Sequence, residues 1–114
     1  MLRPLLAALL LILAMAPLPA SAELDDGWWV IVATYPLTPP ERQQGDVERT
    51  EALAARCHAE TFNDFSAKFK GFAPGYNVFV VGAFATRGEA DRKLATLRPC
   101  FPDAYVKRAR YLGE

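Results

Sequence analysis

The sequence is poor in the residues that build most catalytic and metal sites. It has one histidine, His58, and two cysteines, Cys57 and Cys100. No Cys-x-x-Cys or His-x-x-x-His pair and no glycine-rich phosphate loop is present, so common metal-ligating and nucleotide-binding motifs are excluded. His58 directly follows Cys57, and adjacent residues of a helix point about 100° apart, which does not make a nucleophile–base pair. We therefore expect a non-catalytic chain with no metal site and no cofactor.

The chain also has no excess of charge of either sign. Thirteen lysines and arginines balance thirteen aspartates and glutamates, so a generic nucleic-acid-binding protein is not expected. The charges are unevenly distributed, because residues 23–64 carry nine acidic and three basic side chains and residues 65–114 carry four acidic and nine basic. This asymmetry indicates either two solvated faces of one domain or a basic surface that meets an anionic partner.

No apolar run is long enough to span a membrane. The longest, residues 5–16, has twelve residues, whereas a spanning helix needs about 20. It follows Arg3 and precedes Ala20-Ser21-Ala22, and this layout is typical of a secretory signal peptide. We expect residues 1–22 to be cleaved and residues 23–114 to form a single domain with no membrane span, although an uncleaved anchor is the alternative.

The remaining chain predicts the element order β-α-β-β-α-β. Aromatic and β-branched runs or period-two alternation predict strands over 28–35, 65–70, 76–84 and 104–112. Helical periodicity predicts a first helix over 46–60 and a second between Thr86 and Pro99. Right-handed crossovers then place both helices on one face of a four-stranded antiparallel sheet, a ferredoxin-like α+β fold. The other face has no element left to cover it.

Two stretches carry a family resemblance. Residues 80–90, Val-Val-Gly-Ala-Phe-Ala-Thr-Arg-Gly-Glu-Ala, and residues 104–107, Ala-Tyr-Val-Lys, resemble the SPOR (sporulation-related repeat) domain, and residues 29–35 resemble its first strand less closely. The resemblance implies a periplasmic or secreted bacterial envelope module, of the kind associated with cell division. Such a module binds peptidoglycan glycan strands stripped of stem peptides, on the open face of its sheet. The sequence departs from the family at Ile31, where glutamine is usual, and at Ala33, where glycine is usual.

The family register implies which residues line that open face. They are Trp29 and Ile31 on the first strand, Val78 and Val80 on the third, and Tyr105 and Lys107 on the last. Trp29 and Tyr105 would pack on the flat C–H faces of sugar rings, and Lys107 would pair with the lactyl carboxylate. Alternation would turn the side chains of Arg108 and Arg110 toward the helix-covered core, so a β-bulge near Lys107 is needed to expose them.

The same apolar face allows a different function. A sheet face built from Ile31, Val78 and Val80 suits a protein surface better than a sugar. The alternative is therefore an envelope protein-interaction or self-association module, or a protease-inhibitor-like domain, the last by fold analogy alone.

Cys57 and Cys100 predict a disulfide, because an exported chain with two cysteines usually pairs them in an oxidising compartment. One geometric point opposes it, since the ends of two antiparallel helices could lie about 15 Å apart. Either the first helix extends beyond Thr61, or the turn after Pro99 returns across it.

Overall fold

A computed structural model describes residues 24–113, so the expected signal peptide, residues 1–22, lies outside the described residues. The chain forms five strands and two helices, joined by two short 3-10 turns. These elements are β1 (Asp26–Pro36), the 3-10 turn Pro40–Arg42, α1 (Gln43–Arg56), β2 (Phe62–Phe65), the 3-10 turn Ser66–Lys68, β3 (Phe69–Lys70), β4 (Tyr76–Phe84), α2 (Arg87–Leu97) and β5 (Tyr105–Tyr111).

The strands form one antiparallel sheet with the order β2-β4-β1-β5-β3. The mixed helix-and-strand class is confirmed, but the predicted count of four strands is wrong, and the fifth departs from the four-stranded ferredoxin-like plan. The segment predicted as one strand over 65–70 is divided by the turn Ser66–Lys68. Ser66 is buried and its hydroxyl accepts a hydrogen bond of 3.0 Å from the Tyr76 N–H, which holds the chain in the turn.

The division of that segment forces the sheet to curl. β2 and β3 lie at opposite edges of the sheet, and four strand spacings would separate the edges of a flat sheet by about 19 Å. Even a fully extended chain from Phe65 to Phe69 reaches only about 14 Å. The two edges must therefore approach each other, and the sheet wraps around the side chains on its inner face.

Both helices lie on the outer face of the curled sheet, as predicted. They enclose a helix-side core whose buried residues are Val30, Val32, Ala54, Phe79, Val81, Ala90, Leu97, Phe101 and Ala104. α1 starts earlier than the predicted 46–60, because the 3-10 turn Pro40–Arg42 leads directly into it, and it also ends earlier. The helix runs through Gly45, and Asp46 forms an ion pair with Arg49 within it. α2 lies between Thr86 and Pro99, as predicted, and the Thr86 side chain caps its first turn by accepting a 3.2 Å hydrogen bond from the Glu89 N–H. Within residues 24–113, no helix is long and apolar enough to cross a membrane.

A disulfide joins Cys57, directly after α1, to Cys100, in the turn after α2, with their Cα atoms 6.3 Å apart. The predicted pairing is confirmed. α1 ends at Arg56, so the first of the two expected geometries is wrong. The tight turn beyond α2, in which the Cys100 N–H donates to the Leu97 carbonyl over 3.0 Å, brings the cysteine to the end of α1.

Removing the disulfide will lower the free energy of unfolding. Closing a loop of about 44 residues is worth up to about 4 kcal/mol, because it restricts the unfolded chain. The Cys57→Ser/Cys100→Ser variant should lose about 2–4 kcal/mol in urea denaturation, and reductant should weaken the parent protein but not the variant. Thiol titration of the unreduced, denatured protein should find no free thiol. Two free thiols would contradict the pairing.

Candidate functional site

The predicted site residues on the inner face share that face but are not open to solvent. Their exposed fractions are 2% for Trp29, 2% for Ile31, 4% for Val78 and 0% for Val80. Together with Phe69 and Ala109 they form a second buried core, here called the inner cluster. Alternation along the strands was predicted correctly, but the expectation that these four side chains face solvent is wrong. In residues 24–113, the apolar sheet face on which the protein-interaction and inhibitor alternatives depended is therefore buried rather than exposed.

The covering element is the segment 62–72, which crosses the inner face between the two sheet edges. Two of its phenylalanines contact Trp29, with the ring of Phe69 at 5.4 Å and that of Phe62 at 5.9 Å between centroids, both edge-on. The Trp29 Nε1 donates a 3.0 Å hydrogen bond to the Ala109 carbonyl, within the buried interior. The Trp29 ring is thus packed against other aromatic rings and its N–H group is hydrogen-bonded, as expected of a core residue. The sequence signal for this second core was the high aromatic content of residues 62–72, of which Phe62, Phe69 and Phe72 contribute rings to it.

A carboxylate fixes the covering segment to β5. Asp64 accepts a 2.5 Å hydrogen bond from the Tyr111 hydroxyl and a 2.8 Å bond from the Phe65 N–H, and it lies 3.4 Å from the Lys68 ammonium. Burial on its own would raise the pKa of the Asp64 carboxyl. The hydrogen bonds from Tyr111 and Phe65 and the charge of Lys68 outweigh burial and hold that pKa below its ordinary value.

Two of the predicted site residues remain accessible. Tyr105 is 47% exposed and Lys107 is exposed, and both project to the inner side at the start of β5, opposite Ile31 and Trp29. The Lys107 ammonium lies 5.9 Å from the ring centroid of Phe72, at the border of the inner cluster. The accessible part of the predicted site is therefore an exposed phenol ring beside a cation, at the rim of the curled sheet.

The other basic residues of β5 lie on the opposite side. The register of β5 against β1 is continuous, so the predicted bulge near Lys107 is wrong, and the bulges fall between β1 and β4 instead. Arg108 and Arg110 alternate onto the helix side but remain exposed there. Arg108 and Arg87 place their guanidinium groups 5.8 Å and 5.4 Å from the ring centroid of Trp28, so this half-buried tryptophan is flanked by two cations.

A groove that the sequence did not predict runs along one edge of β1. It has a volume of about 350 Å³ and is lined by Ile31–Tyr35, Asp103 and Tyr105. It adjoins a larger cavity of about 700 Å³ that shares Val32, Ala33, Tyr35 and Asp103 and continues to Arg49 and Arg56 on α1. We call the two together the edge groove. Volumes of this size are typical of ligand clefts.

The described surfaces offer groups that can bind a ligand. Cys57 is bonded to Cys100 and has no thiolate to offer, and His58 is exposed beyond the end of α1. Among residues 24–113, no group of three or more histidine, cysteine, aspartate or glutamate side chains could hold a metal ion. What the described surface does present is aromatic rings and cations, which bind by stacking and by charge.

The Asp64 contacts make stability depend on pH in a defined direction. Because the pKa of folded Asp64 lies below its ordinary value of 3.8, the contribution is present above that value and is lost as pH falls through the folded pKa. Asp64→Asn should cost about 1 kcal/mol at pH 7, and urea unfolding should show the difference from the parent shrinking below about pH 4. Asp91→Asn, an exposed carboxylate on α2, is the control for loss of charge. A difference that stays constant down to pH 2 would contradict this account.

Comparison with known proteins completes the description of the chain. Searches of the curated proteins and of the solved structures return no significant match. A family model, the SPOR domain, matches residues 24–108, which is well over half of the 114 residues and covers both helices, β1 to β4 and the first part of β5. Domains of this family are peptidoglycan-binding modules of bacterial cell-envelope proteins and are generally non-catalytic. From its first strand into its last, the chain belongs to the SPOR domain family.

Proposed function

We propose that this protein is exported to the bacterial periplasm and binds denuded glycan strands of peptidoglycan there, without catalysing a reaction. The observation that carries the proposal is the family match over residues 24–108. The disulfide between Cys57 and Cys100 supports the location, because disulfides form and persist in oxidising compartments such as the periplasm. The signal-peptide layout of residues 1–22, which leaves a mature chain beginning at Glu23, supports export.

The accessible residues of β5 supply the chemistry that a glycan needs. A sugar ring presents a flat C–H face, and the exposed ring of Tyr105 offers an apolar surface with a polar hydroxyl at its end. A glycan without stem peptides carries a free lactyl carboxylate on alternate sugars. The Lys107 ammonium, two residues further along the same side of β5, can pair with that carboxylate.

The isoleucine at position 31, where the family usually has glutamine, fits a glycan site at this rim. Ile31 is 2% exposed and packs in the inner cluster. An amide at this position would need buried hydrogen-bond partners, because an unpaired buried polar group is costly. Isoleucine therefore stabilises the core, and the glycan contacts move outward to Tyr105, which lies opposite Ile31 on the neighbouring strand.

Binding to purified cell-wall sacculi tests this function. The mature protein should sediment with sacculi, and amidase treatment, which strips the stem peptides, should increase the bound fraction several-fold. Tyr105→Ala should reduce binding at least tenfold, because it removes the stacking surface. Its own contribution to folding is small, since the side chain is 47% exposed.

The matched control is Tyr76→Ala. Tyr76 is 38% exposed. It pairs with Pro36 of β1, whereas Tyr105 pairs with Ile31, and these two partners lie about 16 Å apart along the strand. This variant should bind sacculi like the parent. If the parent binds neither preparation, the proposed function is wrong. If Tyr76→Ala and Tyr105→Ala lose sacculus binding to the same extent, the proposed site on β5 is wrong.

A further inference from the structure

β1 is longer than the strand beside it, and this leaves part of one edge without a partner. β4 pairs with β1 as far as Pro36, whereas β5 begins at Tyr105 and pairs only with Asp26–Ile31. On the β5 side, residues 32–35 therefore face no strand among the described residues. At about 3.3 Å per residue, this free edge is about 13 Å long.

The free edge is accessible from the edge groove. The smaller part of the groove is lined by the same residues, Ile31–Tyr35, together with Asp103 and Tyr105. No backbone hydrogen bond from elsewhere in residues 24–113 reaches residues 32–35 on this side. An unpaired strand edge presents N–H and C=O groups that are ready to pair with another extended chain.

The walls of the groove are fixed and carry charge. Thr50 donates its hydroxyl proton to the Asp46 carbonyl over 2.8 Å, so Tyr35 donates the 2.7 Å bond between the Tyr35 and Thr50 hydroxyls. This bond ties the phenol ring that borders the groove to α1. Arg56 lines the larger part of the groove and has no ion-pair partner among the described residues. Arg49 also lines it but is paired with Asp46, so Arg56 is the cation available to a ligand.

We infer that the edge groove binds an extended segment of a protein partner, which adds to the sheet beside Val32–Tyr35 and directs an acidic side chain toward Arg56. The floor of the groove is an unpaired strand edge. A strand added there would form main-chain hydrogen bonds with β1, and these bonds would supply affinity. Arg56 would supply specificity for a carboxylate. The groove shares Tyr105 with the proposed glycan site, but the free edge of β1 and Arg56 have no part in that site, so this inference does not depend on glycan binding.

Selection from a phage library of random nonapeptides, against the disulfide-bonded protein, tests the inference. Enriched peptides should contain an acidic residue flanked by residues that favour strands. A scan in which each backbone amide of one selected peptide is methylated in turn should abolish binding at alternate positions, because only every second amide faces β1. Hydrogen exchange should slow at the amides of residues 32–35 when the peptide is bound.

The charge contact has a matched control. Arg56→Glu should weaken the selected peptide at least tenfold, whereas Arg92→Glu, an exposed charge reversal on α2 outside the groove, should leave the affinity unchanged. Three results would each overturn the inference: no enrichment over an unrelated disulfide-bonded protein, protection of amides elsewhere in the chain, or binding that tolerates methylation at every position. An unfolded Arg56→Glu variant would be recognised by circular dichroism, and Arg56→Gln, with an expected loss of about fivefold, then replaces it.

Discussion

Three residues carry the chain from one edge of the sheet to the other, and the shape of the molecule follows from that constraint. The turn Ser66–Lys68 is too short to bridge a flat five-stranded sheet, so the sheet curls until β2 and β3 can both be reached. The curl creates an interior on the face away from the helices, and Phe62, Phe69 and Phe72 fill it around Trp29. The domain therefore has two apolar cores, one on each side of a single sheet.

This arrangement moves recognition from the middle of the sheet to its rim. A face that packs its own aromatic residues cannot also receive a ligand while the covering segment stays in place. The accessible groups are Tyr105 and Lys107 at the start of β5, and the edge of β1 that β5 leaves unpaired. Both surfaces arise from one geometric fact, that β5 begins level with Ile31 and stops short of the end of β1. A glycan and an extended peptide would thus use neighbouring parts of the rim that meet at Tyr105.

Local patterns in the sequence predicted most strands and helices and the side of the sheet on which their residues lie. The features that the sequence did not predict depend on contacts between residues far apart in the chain. The run of residues 76–84 has the same bounds in the structure as in the prediction, and Trp29 and Val30 fall on opposite sides of β1 as alternation requires. Alternation over residues 65–70 also predicted a strand. It cannot show that Phe65 pairs with β4 and Lys70 with β5, which places the two halves of the segment at opposite edges of the sheet. Whether Trp29 is exposed depends on that pairing. The position of Cys100 likewise depends on a turn whose bonds to Leu97 have no periodic signature.

A closed inner face shields Trp29 from solvent, and the accessibility of this residue to a fluorescence quencher measures that shielding. The chain has two tryptophans, so Trp28→Phe leaves Trp29 as the sole indole fluorophore. In the native protein, acrylamide should quench its fluorescence several-fold less than in urea-unfolded protein, and adding glycan strands should not change the quenching. Native quenching equal to that of the unfolded chain would show an open face and contradict the account.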